Sequence, residues 1–350
     1  MTAFLIYGAT GYTGRLVAER AHSLGMTPIL AGRDAERTRA VAEPLGFEWT
    51  AFPLSDEAAL RRTLERVAIV LHIAGPFSAT SKPMADACIA TGTHYLDITG
   101  EIDIFEALAA RDEEAQRQGV LLLPGCGFDV VPSDCLAAHM KRRMPDATSL
   151  DLVITGLGKT SRGTAKTAIE SLSHGRRARR QGVIVDLDEP EERRFAFPGG
   201  VMKDGISVSW GDVSTAWHAT GIPNITVFFE ATPQLRQIAR MNPLLRFLLA
   251  TAPGQAFLKR KVDKRPAGPS EEDRKKGYAE ILAIARNEKG ESHSSLLRTP
   301  EGYTLTAQTS LEIVRRLGTQ EVAAGFKTPS MLFGPDFILE FDGCMRNDID

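Results

Sequence analysis

Three glycines, two arginines and a handful of phenols and acids hold the chemistry this chain offers. Gly8, Gly11 and Gly14 follow one another at GxxGxxG spacing. Glycine at the first position permits a sharp turn, the second leaves room for a pyrophosphate, and the third lets a helix approach the strand before it. Thr10, Tyr12 and Thr13 complete the loop, and the N–H groups at the helix start stabilise an anion. Arg33 stands 19 residues past Gly14, where an NAD-binding fold places an acid on the ribose 2′-hydroxyl. Arg37 follows one helical turn later. Two guanidiniums suit a 2′-phosphate, which points to NADP(H) rather than NAD(H). Asp34, between them, reads as a helix cap.

These residues need a strand before the glycines and a helix after them, and the pattern supplies both. Ala3–Tyr7 is an apolar run, and Arg15–Ala21 is helical in pattern. Pro28–Gly32 reads as a second strand, Ala35–Leu45 as a helix, Phe47–Phe52 as a third strand and Glu57–Arg66 as a helix capped by Ser55 or Asp56. Val67–Ile73 is an unbroken apolar strand of the kind that a parallel sheet covers on both faces. It ends in Ala74-Gly75-Pro76-Phe77, at the sheet edge where ligands bind in open α/β folds. Gly75 and Pro76 are expected to bring backbone close to the nicotinamide ribose. Then come a helix over Lys82–Thr91, a strand from His94 running into Thr99-Gly100-Glu101, an exposed helix over Asp103–Gln118 and a strand over Val120–Leu123. A second glycine-rich loop, Pro124–Asp134, leads into a helix from Pro132 to about Arg143.

The regular alternation stops near residue 145. Leu150–Thr155 reads as a strand and Thr164 to about Arg180 as a helix with a solvated basic end, Arg176, Arg177, Arg179 and Arg180. Short strands dominate Val183–Glu230, which argues for a mixed second sheet. In residues 233–262, Pro243 and Pro253 break an apolar stretch into short helices ending in Lys259-Arg260-Lys261. This segment reads as a core or interface element, a lid, or a contact with a membrane surface. Residues 264–274 read as a loop, Tyr278–Ala285 and Gly302–Arg316 as regular structure, and Phe337–Phe341 as strand-like. The expected fold is α/β: an N-terminal Rossmann doubly wound parallel sheet over 1–131, and an α+β domain on a mixed sheet over 132–301, with about 302–350 packing back on the first.

Composition narrows the function. The chain has 350 residues and a net charge of −2, which gives no electrostatic support to nucleic-acid binding. Its four scattered cysteines suggest reduced thiols and a cytoplasmic protein. The histidines show no metal-ligand spacing, so no metal is expected. No secretory signal or transmembrane segment is expected either. A bound dinucleotide implies hydride transfer, which calls for a pocket and a proton donor. No tyrosine has a lysine four positions later, so the short-chain dehydrogenase pairing is missing, and there is no GxSxG.

Gly8–Gly14, Ala31-Gly-Arg33, Ala74–Ser78, His94–Glu101 and Gly125–Asp134 together resemble the saccharopine dehydrogenase-like oxidoreductase superfamily. The branch they resemble is the one holding the trans-acting enoyl reductases. Trp210–Thr215, Gly302-Tyr303 and Gly325–Ser330 are also similar to that branch. The resemblance implies NADP(H) and the two-domain architecture. It also implies Phe77 beside the nicotinamide, and Tyr95, Asp97, Glu101, Asp129 and Asp134 around the cleft between the domains. Tyr95 is the first candidate for proton donor because a phenol can donate. Glu101 and Asp129 follow, and Lys166 and His174 are more distant candidates. The implied activity is reduction of a C=C (enoyl) or C=N bond in an apolar or acyl substrate. The alternatives are an amino-acid-type imine reductase and a non-catalytic NADP(H) sensor. A homodimer is the default assembly.

Overall fold

The computed structural model describes residues 3–170, 175–320 and 322–349, without the side chains of 243–246. It forms two compact units, residues 1–131 with 302–332 and residues 132–301 with 333–350. The first unit opens with β1 (Phe4–Tyr7), α1 (Tyr12–Ser23), β2 (Ile29–Gly32), α2 (Ala35–Ala42), β3 (Trp49–Ala51) and α3 (Glu57–Leu64). It continues with β4 (Ile69–His72), α4 (Phe77–Thr91), β5 (His94–Asp97), α5 (Ile102–Ala109), α6 (Asp112–Arg117) and β6 (Leu121–Leu123). Asp34 and Asp56 cap α2 and α3 by accepting from Arg37 N and Ala59 N. The segment expected as one exposed helix over 103–118 is two helices. Ile102, Phe105, Leu108 and Ala115 are buried against the sheet, and the chain turns between α5 and α6.

The chain leaves this unit through α7 (Val131–Arg143) and continues as β7 (Ser149–Thr155), α8 (Arg162–Glu170), β8 (Arg176–Arg180), β9 (Val183–Leu187), β10 (Glu192–Phe197), β11 (Val201–Val208), α9 (Asp212–Thr220) and β12 (Asn224–Glu230). Then follow α10 (Pro233–Ala239), α11 (Pro243–Ala250), α12 (Ala252–Asp263), α13 (Glu271–Lys276), β13 (Tyr278–Arg286) and β14 (Ser292–Pro300). The chain returns with α14 (Gly302–Leu317), β15 (Gly325–Phe326) and α15 (Pro329–Phe333), and β16 (Met345–Ile349) lies near its end.

The first sheet runs β15-β6-β5-β4-β1-β2-β3. Every pairing in it is parallel. The strand order reverses between β1 and β4, so the loops after these strands flank the crevice where open α/β sheets bind ligands. The second sheet is mixed. It runs β10-β11-β12-β7-β13-β14-β16, with β8 pairing β12 and β9. Its β12–β7 pair is parallel and the neighbouring pairs are antiparallel.

Several expectations are corrected here. The basic run 176–180 is not a helix end but strand β8, antiparallel to β9. Arg179 is buried: its Nε donates to Val213 O at 2.8 Å, its Nη1 donates to Gly182 O at 2.7 Å, and its guanidinium lies 5.2 Å from the Trp217 ring centre. Residues 264–274 are not all loop, because Ser270 and Asp273 form a capping box that starts α13. Residues 183–230 include the helix α9. Phe337–Glu340 is a single 3-10 turn, and the late strand is β16, paired with β14. The returning segment therefore divides, with 302–332 in the first unit and 333–350 in the second. Among the described residues, no helix is long and apolar enough to cross a membrane, and no three His, Cys, Asp or Glu side chains are grouped to hold a metal.

Candidate nucleotide and active site

The glycine loop is built by backbone crowding. Gly8 has φ +99°, and a Cβ there would lie 2.7 Å from Ala74 N, so the loops after β1 and β4 touch through their backbones. A Cβ on Gly14 would lie 2.3 Å from the Gly8 carbonyl oxygen, which holds α1 directly against the turn. A Cβ on Gly11 would meet only Gly8 O, at 3.4 Å, leaving that backbone open to a ligand. Gly11 caps α1 without a side chain, and the first turn holds no acid. A helix start of this kind stabilises phosphate through its first-turn N–H groups and its positive dipole end. Tyr12 packs edge-on against Tyr303 of α14, with ring centres 5.0 Å apart.

At the end of β2, Arg33 and Arg37 are both exposed. The Asp34 carboxylate accepts from Arg37 N at 3.0 Å, so it is held at the start of α2. Arg33 lies close enough to Tyr7 for its charge to oppose the burial that pushes the Tyr7 phenol up to about 12.

The β4–α4 loop carries Ala74, Gly75, Pro76 and Phe77. Helix α4 starts at Phe77, five residues before the expected Lys82, because Glu101 satisfies its free N–H groups. Glu101 Oε1 accepts from Phe77 N at 3.0 Å and Oε2 from Ser78 N at 3.1 Å. Thr80 Oγ1 bonds the carbonyls of Ala74 and Pro76, at 2.7 and 3.0 Å, and lies 3.0 Å from His72 Nε2. Burial drives His72 down to about 3, so its ring is neutral, and it packs among Tyr7, Phe77 and Tyr95.

Tyr95 is fully buried, and its hydroxyl donates to Asp97 Oδ2 at 2.6 Å, with Ser81 Oγ 3.0 Å away. Burial and the adjacent carboxylate hold its pKa well above the usual phenol value. Asp97 Oδ1 accepts from Thr99 N and Gly125 N, each at 2.9 Å, and burial lifts its carboxyl to about 6. The pair thus ties the β5 and β6 loops together inside the protein. Glu101 is likewise engaged at the start of α4. We expect Tyr95→Phe to destabilise the fold by about 1–3 kcal/mol, because Asp97 Oδ2 loses a buried donor, and to leave turnover within about twofold. Thermal unfolding measured beside steady-state kinetics checks this. A collapse of turnover in a stable variant would restore Tyr95 as donor.

Asp129 is half-buried in the β6–α7 loop, and burial lifts its carboxyl to about 7. A Cβ on Gly100 would lie 3.2 Å from its Oδ2. Helix α14 clamps the three residues before it. Thr309 donates to Cys126 O at 2.8 Å, Thr306 Oγ1 accepts from Phe128 N at 3.0 Å, and Gly127 sits against the Thr306 methyl. The sequence reading missed Thr306 and Thr309; polar residues buried along an otherwise apolar helix were the available signal. Asp134 is buried in the first turn of α7 and belongs to the second unit. Lys166, also in the second unit, pairs with Asp263 at 2.6 Å. His174 lies outside the described residues.

The parallel sheet, its reversal between β1 and β4 and the glycine turn define a Rossmann-type dinucleotide-binding unit. Residues 4–123 match the family model described as saccharopine dehydrogenase NADP binding domain, and the cofactor this match indicates is NADP(H). Trans-acting enoyl reductase from Mycobacterium tuberculosis is 35% identical over 161 residues, covering 44% of this chain and 38% of that protein. The enzyme of that name from Mycobacterium leprae is 34% identical over the same length and shares. The chain thus spans 38% of the length of these relatives. The fold also matches apo saccharopine dehydrogenase (L-Glu forming) from Saccharomyces cerevisiae, with a TM-score of 0.64 at 11% identity over 100% of both chains.

Proposed function

We propose that this chain is an NADPH-dependent oxidoreductase that reduces an enoyl C=C bond in an apolar acyl substrate, with Asp129 as proton donor. When bound, NADPH supplies the hydride. Gly8, Gly11, Gly14 and the start of α1, including Thr10, Tyr12 and Thr13, hold the pyrophosphate, and Arg33 and Arg37 hold the 2′-phosphate. Ala74, Gly75, Pro76 and Phe77 line the nicotinamide end. The observation that carries the reading is the half-buried carboxyl of Asp129, lifted to about 7 in a loop at the carboxyl edge of the sheet. A general acid works best with a pKa near the working pH. Similarity to proteins named trans-acting enoyl reductase supports the enoyl substrate. The four cysteines are free and buried, which supports a reducing, cytoplasmic setting.

The test starts with NADPH and NADH binding, followed by fluorescence, for the native chain and Arg33→Ala. Loss of charge-assisted contacts to the 2′-phosphate is expected to cost about 2–4 kcal/mol, or roughly 30- to 1,000-fold in NADPH affinity, with little change for NADH. NADPH oxidation is then followed with 2-enoyl thioesters of increasing chain length and with amino-acid-derived imines. Turnover of the imines alone would replace the enoyl reading. Tight NADPH binding without turnover of either class would favour a sensor.

A further inference from the structure

The second unit carries a surface that the nucleotide site does not use. Residues 231–270 hold eight lysines and arginines against one acid, Asp263, a local charge of +7 in a chain whose net charge is −2. Asp263 is itself paired with Lys166. Arg236 and Arg240 are held by Glu192, and Lys259 by Glu170. Arg260, Lys261, Lys264 and Arg265 remain exposed at the end of α12 and just beyond it. Large apolar side chains on the same three helices also face solvent: Ile238 of α10 is 48% exposed, Phe247 and Leu248 of α11 are 68% and 53% exposed, and Phe257 of α12 is 55% exposed. Lys261 Nζ sits 4.6 Å from the centre of the Phe257 ring, so an aromatic and a cation share one turn of α12.

We infer that α10–α12 is a docking surface for an anionic lipid bilayer, on which it lies without crossing. Short helices with exposed phenylalanine and leucine flanked by lysine and arginine are built for the headgroup boundary, where rings enter the acyl edge and cations meet lipid phosphate. Charge decides against a second copy as occupant. A two-fold interface through this face would set the exposed Arg260, Lys261, Lys264 and Arg265 against the same four cations of the second copy, whereas an anionic bilayer complements them. The inference is carried by this surface alone and stands or falls separately from the reductase reading.

The experiment is vesicle co-sedimentation of the full chain, using phosphatidylcholine vesicles and one-to-one phosphatidylcholine–phosphatidylglycerol vesicles, at physiological and high salt. Partition onto the anionic vesicles is expected to exceed that onto neutral ones by about tenfold or more, each exposed cation contributing up to about fivefold, and to fall with salt. The double variant Phe247→Glu, Phe257→Glu changes two exposed side chains, so it is expected to fold and to bind NADPH as the native chain does. It should lose roughly tenfold or more in partition. Equal partition of native and variant chains, or no partition onto anionic vesicles, overturns the inference. So does a drop in the mass of the variant by light scattering, which would make the face an interface between copies.

Discussion

Asp129→Asn is expected to lower kcat for NADPH-dependent reduction by about 10²–10⁴-fold while NADPH affinity and thermal stability stay close to native. The substitution keeps the shape of a half-buried side chain and removes the one proton it can give. The sign of the pH effect follows from its cause. Burial penalises the charged form, so the carboxyl, lifted to about 7, keeps its proton below that pH. In the proposed reduction Asp129 acts in its protonated form. Native kcat/KM is therefore expected to be level below about pH 7 and to fall about tenfold per unit above it. In Asp129→Asn that descending limb disappears, along with most of the rate. A pH–rate profile on both proteins, with NADPH affinity measured in parallel, checks this. A variant that keeps the native limb would show that another group donates the proton.

Gly14→Ala is expected to remove NADPH binding together with a large part of the stability of the first unit. The new Cβ would lie 2.3 Å from Gly8 O and 2.8 Å from Ala9 Cα, and both are backbone atoms of a buried turn that cannot move aside. The helix must retreat from the strand, at a cost of about 1–3 kcal/mol or more. Gly11→Ala separates binding from folding. Its Cβ would meet only Gly8 O, at 3.4 Å, so the fold is expected to survive. The methyl would occupy the approach to the pyrophosphate, so NADPH affinity should fall about tenfold or more at nearly native Tm. Thermal unfolding and NADPH titration of both variants decide it. Native affinity in a folded Gly11→Ala protein would move the pyrophosphate away from this loop.

Much of the first unit is legible in the chain itself, because its determinants are local. The run from Phe4 to Gly14 specifies strand, turn and helix within one stretch, and Val67–Ile73 could only be a strand covered on both faces. The expectation of a 2′-phosphate site at Arg33 and Arg37 rests on residue type and spacing alone. Determinants that lie far apart are invisible to spacing. The start of α4 depends on Glu101, 24 residues away from Phe77. Arg179 is buried in a strand because Val213 and Gly182 supply carbonyls and Trp217 supplies a ring, and without those partners a run of arginines reads as a solvated helix end. In the sequence Tyr95 stood ahead of Glu101 and Asp129 as candidate proton donor. The tertiary structure gives Tyr95 a bond to Asp97 and sets Glu101 at the start of α4, while α14, returning 178 residues later, clamps the loop that carries Asp129. The identity of a titratable residue is written in the chain, but its pKa is set by what packs around it, and only the folded protein brings those neighbours together.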